Sequence, residues 1–128
     1  MSEKQTDATV LDVVCLCAGW CNNCTSYRPV FDAVQAQFDA NAMGATGQAT
    51  RFSWVDIEDE SEVIGDVEVE NFPTLLLIQD GMPLFFGPLT PQPGVLGNLV
   101  QTALDGRLAA LPGGTEQELA QRVRAYLG

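Results

Sequence analysis

The chain of 128 residues predicts an α/β fold, a mixed four-stranded sheet flanked by helices with an extra helix at the C-terminal end. Three observations predict it. Val10-Leu11-Asp12-Val13-Val14-Cys15-Leu16-Cys17 is a near-continuous apolar, β-branched run, suited to a central strand buried on both faces. The next segment repeats its apolar residues at helical spacing. The order is then strand–helix–strand followed by strand–strand–helix. The first unit joins parallel strands through a helix, and the hairpin adds an antiparallel pair. With 46% apolar residues, one domain with one core is expected over residues 10–128, preceded by a flexible tail at residues 1–9.

Each element has its own signal. From Cys21 to about Asn41, Tyr27, Val30, Phe31, Val34 and Phe38 share one helical face, and Pro29 inside the pattern predicts a kink. Residues 41–47 read as a loop, and Arg51–Ile57 as the second strand. A short helical turn is expected around Asp59–Ile64, ending at Gly65. Leu75-Leu76-Leu77-Ile78 is the third strand, Gln79-Asp80-Gly81-Met82 a hairpin turn, and Pro83–Phe86 the fourth strand. Leu96, Leu99, Val100, Ala103 and Leu104 then mark a helix, which Gly106 ends or weakens. After Pro112-Gly113-Gly114, Thr115-Glu116-Gln117-Glu118 has the form of a capping box. It opens a last helix with Leu119, Val123, Tyr126 and Leu127 on one face.

Composition narrows the function. Six basic residues face seventeen acidic ones, for a net charge of −11. Nucleic acid and anionic membranes are poor partners for such a surface. There is no histidine, which excludes His-based acid–base catalysis and His-ligated metal sites. The polar start, Met1-Ser2-Glu3-Lys4-Gln5-Thr6-Asp7, has no apolar core of the signal-peptide kind, and no stretch is long enough to span a membrane. A cytoplasmic protein is expected. In that compartment four cysteines point to catalysis, burial or metal binding before a structural disulfide set.

Cys21-Asn22-Asn23-Cys24, directly after Trp20, is the segment richest in chemistry. Two cysteines so spaced at a helix start can close a small disulfide ring that thiol exchange reopens. The helix N-terminal end carries partial positive charge and free N–H groups, which stabilise a thiolate, the attacking species. Cys21 is the expected exposed nucleophile, and Cys24, one turn in, the more buried resolving thiol. Cys15 and Cys17 alternate onto one face of the first strand and read as small buried apolar residues. The rival is a four-thiolate site for zinc or an iron–sulfur cluster, which their tight spacing on a buried strand opposes. No metal and no cofactor are expected.

These motifs resemble the thioredoxin family. Ala18-Gly19-Trp20-Cys21-Asn22-Asn23-Cys24 looks like its active-site segment, with Pro29 at the matching helix kink. Val55-Asp56 looks like its next strand end, and Phe72-Pro73-Thr74-Leu75-Leu76-Leu77 like its cis-proline strand. The resemblance covers roughly residues 10–105 in motif order. It implies a thioredoxin-like fold, a cis bond before Pro73, and a substrate-contact surface formed by Trp20, Phe72 and Pro73. It also implies thiol–disulfide exchange with protein disulfides through Cys21 and Cys24, and a thiol reductase for recycling.

The departures are specific. Residues 1–9 leave no room for the family's leading strand and helix, which are expected to be missing. Asn-Asn replaces the Gly-Pro common between thioredoxin cysteines, and Thr25 replaces the usual basic residue. The family's buried acid falls at Cys15 and its partner lysine at Phe52. Their joint loss is coherent, since a buried charge left alone is costly. It also removes a proton acceptor for Cys24. The acidic run Asp56, Glu58, Asp59, Glu60, Glu62, Asp66, Glu68 and Glu70 is a solvated face or a surface that selects basic partners. The last helix covers sheet surface left bare by the missing elements, ahead of a role in dimerisation. The rival to the enzyme is a thioredoxin-like binding or adaptor module that does not turn over.

Overall fold

The computed structural model describes residues 10–18, 22–42, 49–64, 73–79, 81–90 and 92–127. The expected tail, the loop after Asn41 and the Gly65 helix end fall wholly or largely outside them. Strand β1 is Val10–Cys17, followed by helix α1, Asn22–Ala42, and strand β2, Ala49–Asp56. A single turn, α2, spans Ser61–Ile64, followed by the β3 and β4 strands, Thr74–Gln79 and Met82–Pro88. Helices α3, Pro93–Leu104, and α4, Gly114–Leu127, complete the chain.

The sheet order is β2-β1-β3-β4. β1 runs parallel to β2 and antiparallel to β3, and β3 runs antiparallel to β4. This is the expected mixed four-stranded sheet. The α1 crossover joins the parallel pair, and Gly81 at φ 80 turns the hairpin. β2 begins before the expected Arg51 and stops at Asp56. Asp56 Oδ1 accepts the N–H groups of Glu58 at 2.9 Å and Asp59 at 3.4 Å, a local turn that competes with the strand ladder.

Strand alternation divides the core into two layers. Leu11, Val13, Cys15 and Cys17 of β1 join Tyr27, Phe31, Val34 and Phe38 of α1 and Leu96, Val100 and Ala103 of α3. Val14 and Leu16 face the other way, onto Val63 and onto Leu119, Ala120 and Val123 of α4. The last helix therefore covers the second face of the sheet, as expected. Its start differs from expectation: α4 begins at Gly114, so Thr115 lies inside the first turn. Glu116 folds back into the space a Cβ on Gly113 would occupy. Tyr126, expected on the packed face, is exposed, while Leu127 packs against the core.

Among the described residues, one charged group is buried among these apolar layers. Asp12, its side chain 2% exposed, meets Arg51 Nε at 2.5 Å and Arg124 Nε at 3.5 Å. Arg51 is its register partner on β2, and Arg124 comes from α4, so the carboxylate ties the C-terminal helix to the centre of the sheet. Arg122 Nε adds a hydrogen bond to the Val63 carbonyl at 3.0 Å. Removing the acid leaves two arginines that still reach water, whereas removing the arginines leaves a buried carboxylate uncompensated. Asp12→Ala is expected to lower the unfolding free energy by about 1.5–3 kcal/mol. The double variant Arg51→Met, Arg124→Met is expected to lower it by about 3–5 kcal/mol. Urea denaturation of both checks the asymmetry, and an equal or reversed order contradicts it.

Candidate functional site

The site is built where the end of β1 meets the start of α1. β1 ends at Cys17, whose carbonyl accepts the Ile57 N–H at 2.8 Å, carrying the β1–β2 ladder past Asp56. α1 starts at Asn22 and holds Cys24 in its first turn, with no acidic residue there to offset the positive helix end. Cys17 and Cys24 form a disulfide, with Cα atoms 5.8 Å apart, inside the range a bridge requires. Both residues are buried. In the chain-entropy picture, closing this short loop contributes roughly 2–3 kcal/mol.

The pairing corrects one expectation. Cys17 was expected to be an inert buried thiol, and it is Cys24's partner in the structure. The expected bond joined Cys24 to Cys21. The signal that finds Cys17 is its place at the very end of the strand, where an inward side chain reaches the first turn of the following helix. Cys15, two residues back on the same face, remains a free, buried thiol. Its Sγ lies 3.5 Å from that of Cys17. A disulfide sulfur carries no proton, so the Cys15 S–H is the donor.

Burial pushes the Cys15 thiol from 9.0 up to about 12, against a smaller downward pull from the Arg28 charge. Tyr27, in the same layer, has a fully buried hydroxyl with no hydrogen-bond partner among the described residues. Burial raises its pKa as well, and the charge Cys15 would carry raises it further. This pocket thus favours neutral groups. The position expected of the family's lysine is filled by Phe52, which packs on Phe31 at 5.5 Å and Phe38 at 6.4 Å between ring centroids. A buried acid does exist, but it is Asp12, on the opposite face of the sheet.

A cleft of about 450 Å³ opens beside the disulfide, lined by Ala18, Cys24, Thr25, Arg28, Pro29 and Trp54. Trp54 packs edge-on against Phe31, and the Arg28 guanidinium lies 4.7 Å from the centre of a Trp54 ring. Arg28 also pairs with Asp32 at 3.3 Å on the exposed side of α1. Neither Trp54 nor Arg28 was singled out from the sequence. Arg28 was findable, since it stands four residues after Cys24 and so above it on the helix.

Of the expected site residues, Cys24 and Pro73 are described. Trp20, Cys21 and Phe72 lie outside the described residues, as does the peptide bond before Pro73. Pro73 is buried, and its carbonyl accepts the Leu89 N–H at 3.3 Å. Pro73 directly precedes Thr74, the terminal β3 residue paired with β1, whose partner there is Leu16. Proline presents no N–H there. Among the described residues no group of three or more His, Cys, Asp or Glu side chains is placed to hold a metal ion. Among them, no helix is long and apolar enough to cross a membrane.

The family model described as thioredoxin matches residues 2–86, well over half of the chain. The chain belongs to the thioredoxin family. Solved structures share its fold at low identity. Thioredoxin from Trypanosoma brucei brucei is 21% identical, with a TM-score of 0.60 over 75% of this chain and 76% of that one. The germline-specific thioredoxin Deadhead of Drosophila melanogaster is 15% identical, with a TM-score of 0.58 over 72% of this chain and 79% of that one. Human ERp44 is 18% identical, with a TM-score of 0.61, but the match spans 72% of this chain and 24% of ERp44. No curated protein sequence matches the chain. A thioredoxin-family fold carrying two cysteines in disulfide contact is the general framework of thiol–disulfide oxidoreductases.

The pocket's preference for a neutral Cys15 has a sign that can be checked. Its pKa is about 12 folded against 9.0 as the ordinary value. The stability it contributes is therefore complete below pH 9 and lost as pH rises toward 12, because the unfolded chain ionises first. Tyr27 acts in the same direction. The urea midpoint is expected to fall more steeply across this window in the wild type than in Cys15→Ala. Parallel curves contradict the assignment.

Proposed function

We propose that this protein is a thiol–disulfide oxidoreductase that exchanges disulfides with protein substrates through Cys21 and Cys24. The observation that carries the reading is the state of Cys24: a cysteine in the first turn of α1, engaged in a disulfide at the edge of an open cleft. The helix end favours the thiolate that exchange requires.

The chemistry divides between the two residues of the motif. The Cys21 thiolate attacks one sulfur of a substrate disulfide, forms a mixed disulfide and releases the first substrate thiol. The Cys24 thiolate then attacks the Cys21 sulfur and releases the second. The substrate gains two electrons and the protein loses two. A dithiol reductase returns them by the reverse sequence. Trp20, Phe72 and Pro73 supply the contact surface for an extended peptide in this reading. The acidic residues from Asp56 onward favour basic substrates over acidic ones, and the net charge of −11 disfavours nucleic acid and anionic membranes. A reducing compartment, the cytoplasm, suits a protein that must be recycled to its thiol form.

A second reading has one observation in its favour. Cys24 is bonded to an interior cysteine, as it would be in a binding or adaptor module stapled by a permanent disulfide. The two readings separate by trapping. Cys24→Ser is expected to accumulate mixed disulfides with substrate proteins through Cys21, and Cys21→Ser is not; gel analysis after acid quench and alkylation reads this out. Equal trapping by both variants defeats the assigned roles. A partner complex that survives Cys21→Ser, with no trapping by either variant, establishes the adaptor.

A further inference from the structure

The Cys17–Cys24 disulfide has an inner and an outer side. Cys17 is wholly buried and is not among the described residues lining the cleft, whereas Cys24 lines it. On the inner side the Cys15 S–H donates to the Cys17 sulfur at 3.5 Å. On the outer side the described lining carries one cation, Arg28, and no acidic side chain. Arg28 stands one turn beyond Cys24 on α1 and lies against Trp54, its guanidinium 4.7 Å from a ring centre. Its charge reaches the sulfur layer, where it pulls the Cys15 pKa down against the larger effect of burial. Two carboxylates are near enough to matter. Asp32 meets Arg28 Nε at 3.3 Å from the exposed side of α1. Asp56, two residues beyond Trp54 and on the same side of β2, has its Oδ1 occupied by the N–H groups of Glu58 and Asp59.

We propose that this cleft admits a low-molecular-weight thiol bearing an acidic group, which opens the Cys17–Cys24 disulfide by attack on the Cys24 sulfur while Arg28 holds its anionic group. Of the two bonded sulfurs, that of Cys24 belongs to a lining residue, so the attack is directed there. The ligand sulfur bonds to Cys24, the Cys17–Cys24 bond breaks, and Cys17 leaves as a thiolate. The Cys15 S–H hydrogen bond meets that charge, and Cys17 ends protonated, taking up the proton the ligand thiol gave away. A second ligand thiolate attacks the ligand sulfur of the mixed disulfide. Cys24 leaves as a thiolate at the positive end of α1, and the two ligands depart joined as a disulfide. Two ligand thiols are oxidised, and the protein gains two electrons and two protons. The proposal stands on the Cys17–Cys24 bond and the cleft; it needs no step at Cys21 and so goes beyond the exchange reading above.

Size and charge together select the ligand. A cleft of about 450 Å³ is of the size that holds small molecules. Its described lining comes from the end of β1, from α1 and from β2, and includes no residue of the Pro73 strand. The net charge of −11 repels anions at long range, but salt screens that field beyond about 8 Å at physiological ionic strength, whereas Arg28 acts at contact. An acidic protein would meet the whole negative surface; a small acidic thiol inside the cleft meets Arg28.

The test compares thiols of different charge. Oxidised full-length Cys21→Ser protein, in which exchange through Cys21 is silenced, is treated with 2-mercaptoethanesulfonate, 2-mercaptoethanol or cysteamine at near-physiological salt. Samples are quenched in acid, alkylated under denaturing conditions and mapped by peptide mass, and rates are expressed per thiolate. The mixed disulfide is expected on Cys24 with Cys17 alkylated, and the rates are expected to fall from the anionic to the neutral to the cationic thiol. Arg28→Gln in the same background is expected to slow the sulfonate thiol about fivefold and to leave 2-mercaptoethanol nearly unchanged. Arg28→Lys is expected to keep the preference, and Asp32→Asn to increase it. A first adduct on Cys17 overturns the proposal. So does an anion preference that Arg28→Gln leaves intact, a lack of any such preference, or a bond that withstands all three thiols in the folded protein. Both side chains are about half exposed, and Asp32→Asn decides should Arg28→Gln fail to fold. The exchange reading is decided separately, by whether Cys24→Ser traps mixed disulfides at Cys21.

Discussion

Strand β1 is hydrogen-bonded along both edges and covered by helices on both faces. Its eight residues have little freedom, and each one's direction follows from strand alternation. Leu11, Val13, Cys15 and Cys17 point toward α1 and α3; Asp12, Val14 and Leu16 point toward α4. The site depends on this constraint. Cys17 is held at the end of a rigid strand, and the first turn of α1 is drawn over it. The two sulfurs meet because backbone on both sides is fixed by packing, and their bond ties strand to helix in turn.

The two faces of β1 have separate tasks. On one, sulfur, phenol and aromatic rings make a pocket of low polarity that keeps Cys15 protonated. On the other, a single carboxylate is paired with arginines from β2 and α4. A charged group on the sulfur side would raise the local field at the disulfide. Placing the acid on the far face anchors α4 without that effect. The sheet thus separates an electrostatic latch from a redox pocket by the thickness of one strand.

Much of this was legible from residue order. The apolar run at 10–17, the helical spacing of Tyr27, Phe31, Val34 and Phe38, and the Leu119–Val123 stripe each predicted an element and its buried face, because burial imposes the same period on sequence and structure. The helix that covers the second sheet face was read from that stripe alone. What escaped was everything set by register. Nothing in the local pattern pairs Asp12 with Arg51, since that depends on how β1 and β2 align across the α1 crossover. The Cys17–Cys24 bond escaped for a related reason. The motif points to Cys21, and only the distance from a strand end to the next helix turn identifies Cys17. Trp54 looked like one apolar residue of a strand, and its place on the cleft wall comes from the third dimension.

The central claim is that the junction of β1 and α1 is a reversible exchange site. An equilibrium titration of the full protein in buffers of reduced and oxidised dithiothreitol tests it most directly, with free thiols counted at each potential. The account predicts one reversible two-electron transition, with Cys24 changing state together with one partner, and Cys15 a thiol throughout. A Cys24 whose state is the same at every potential, whether always bonded or always free, would contradict it.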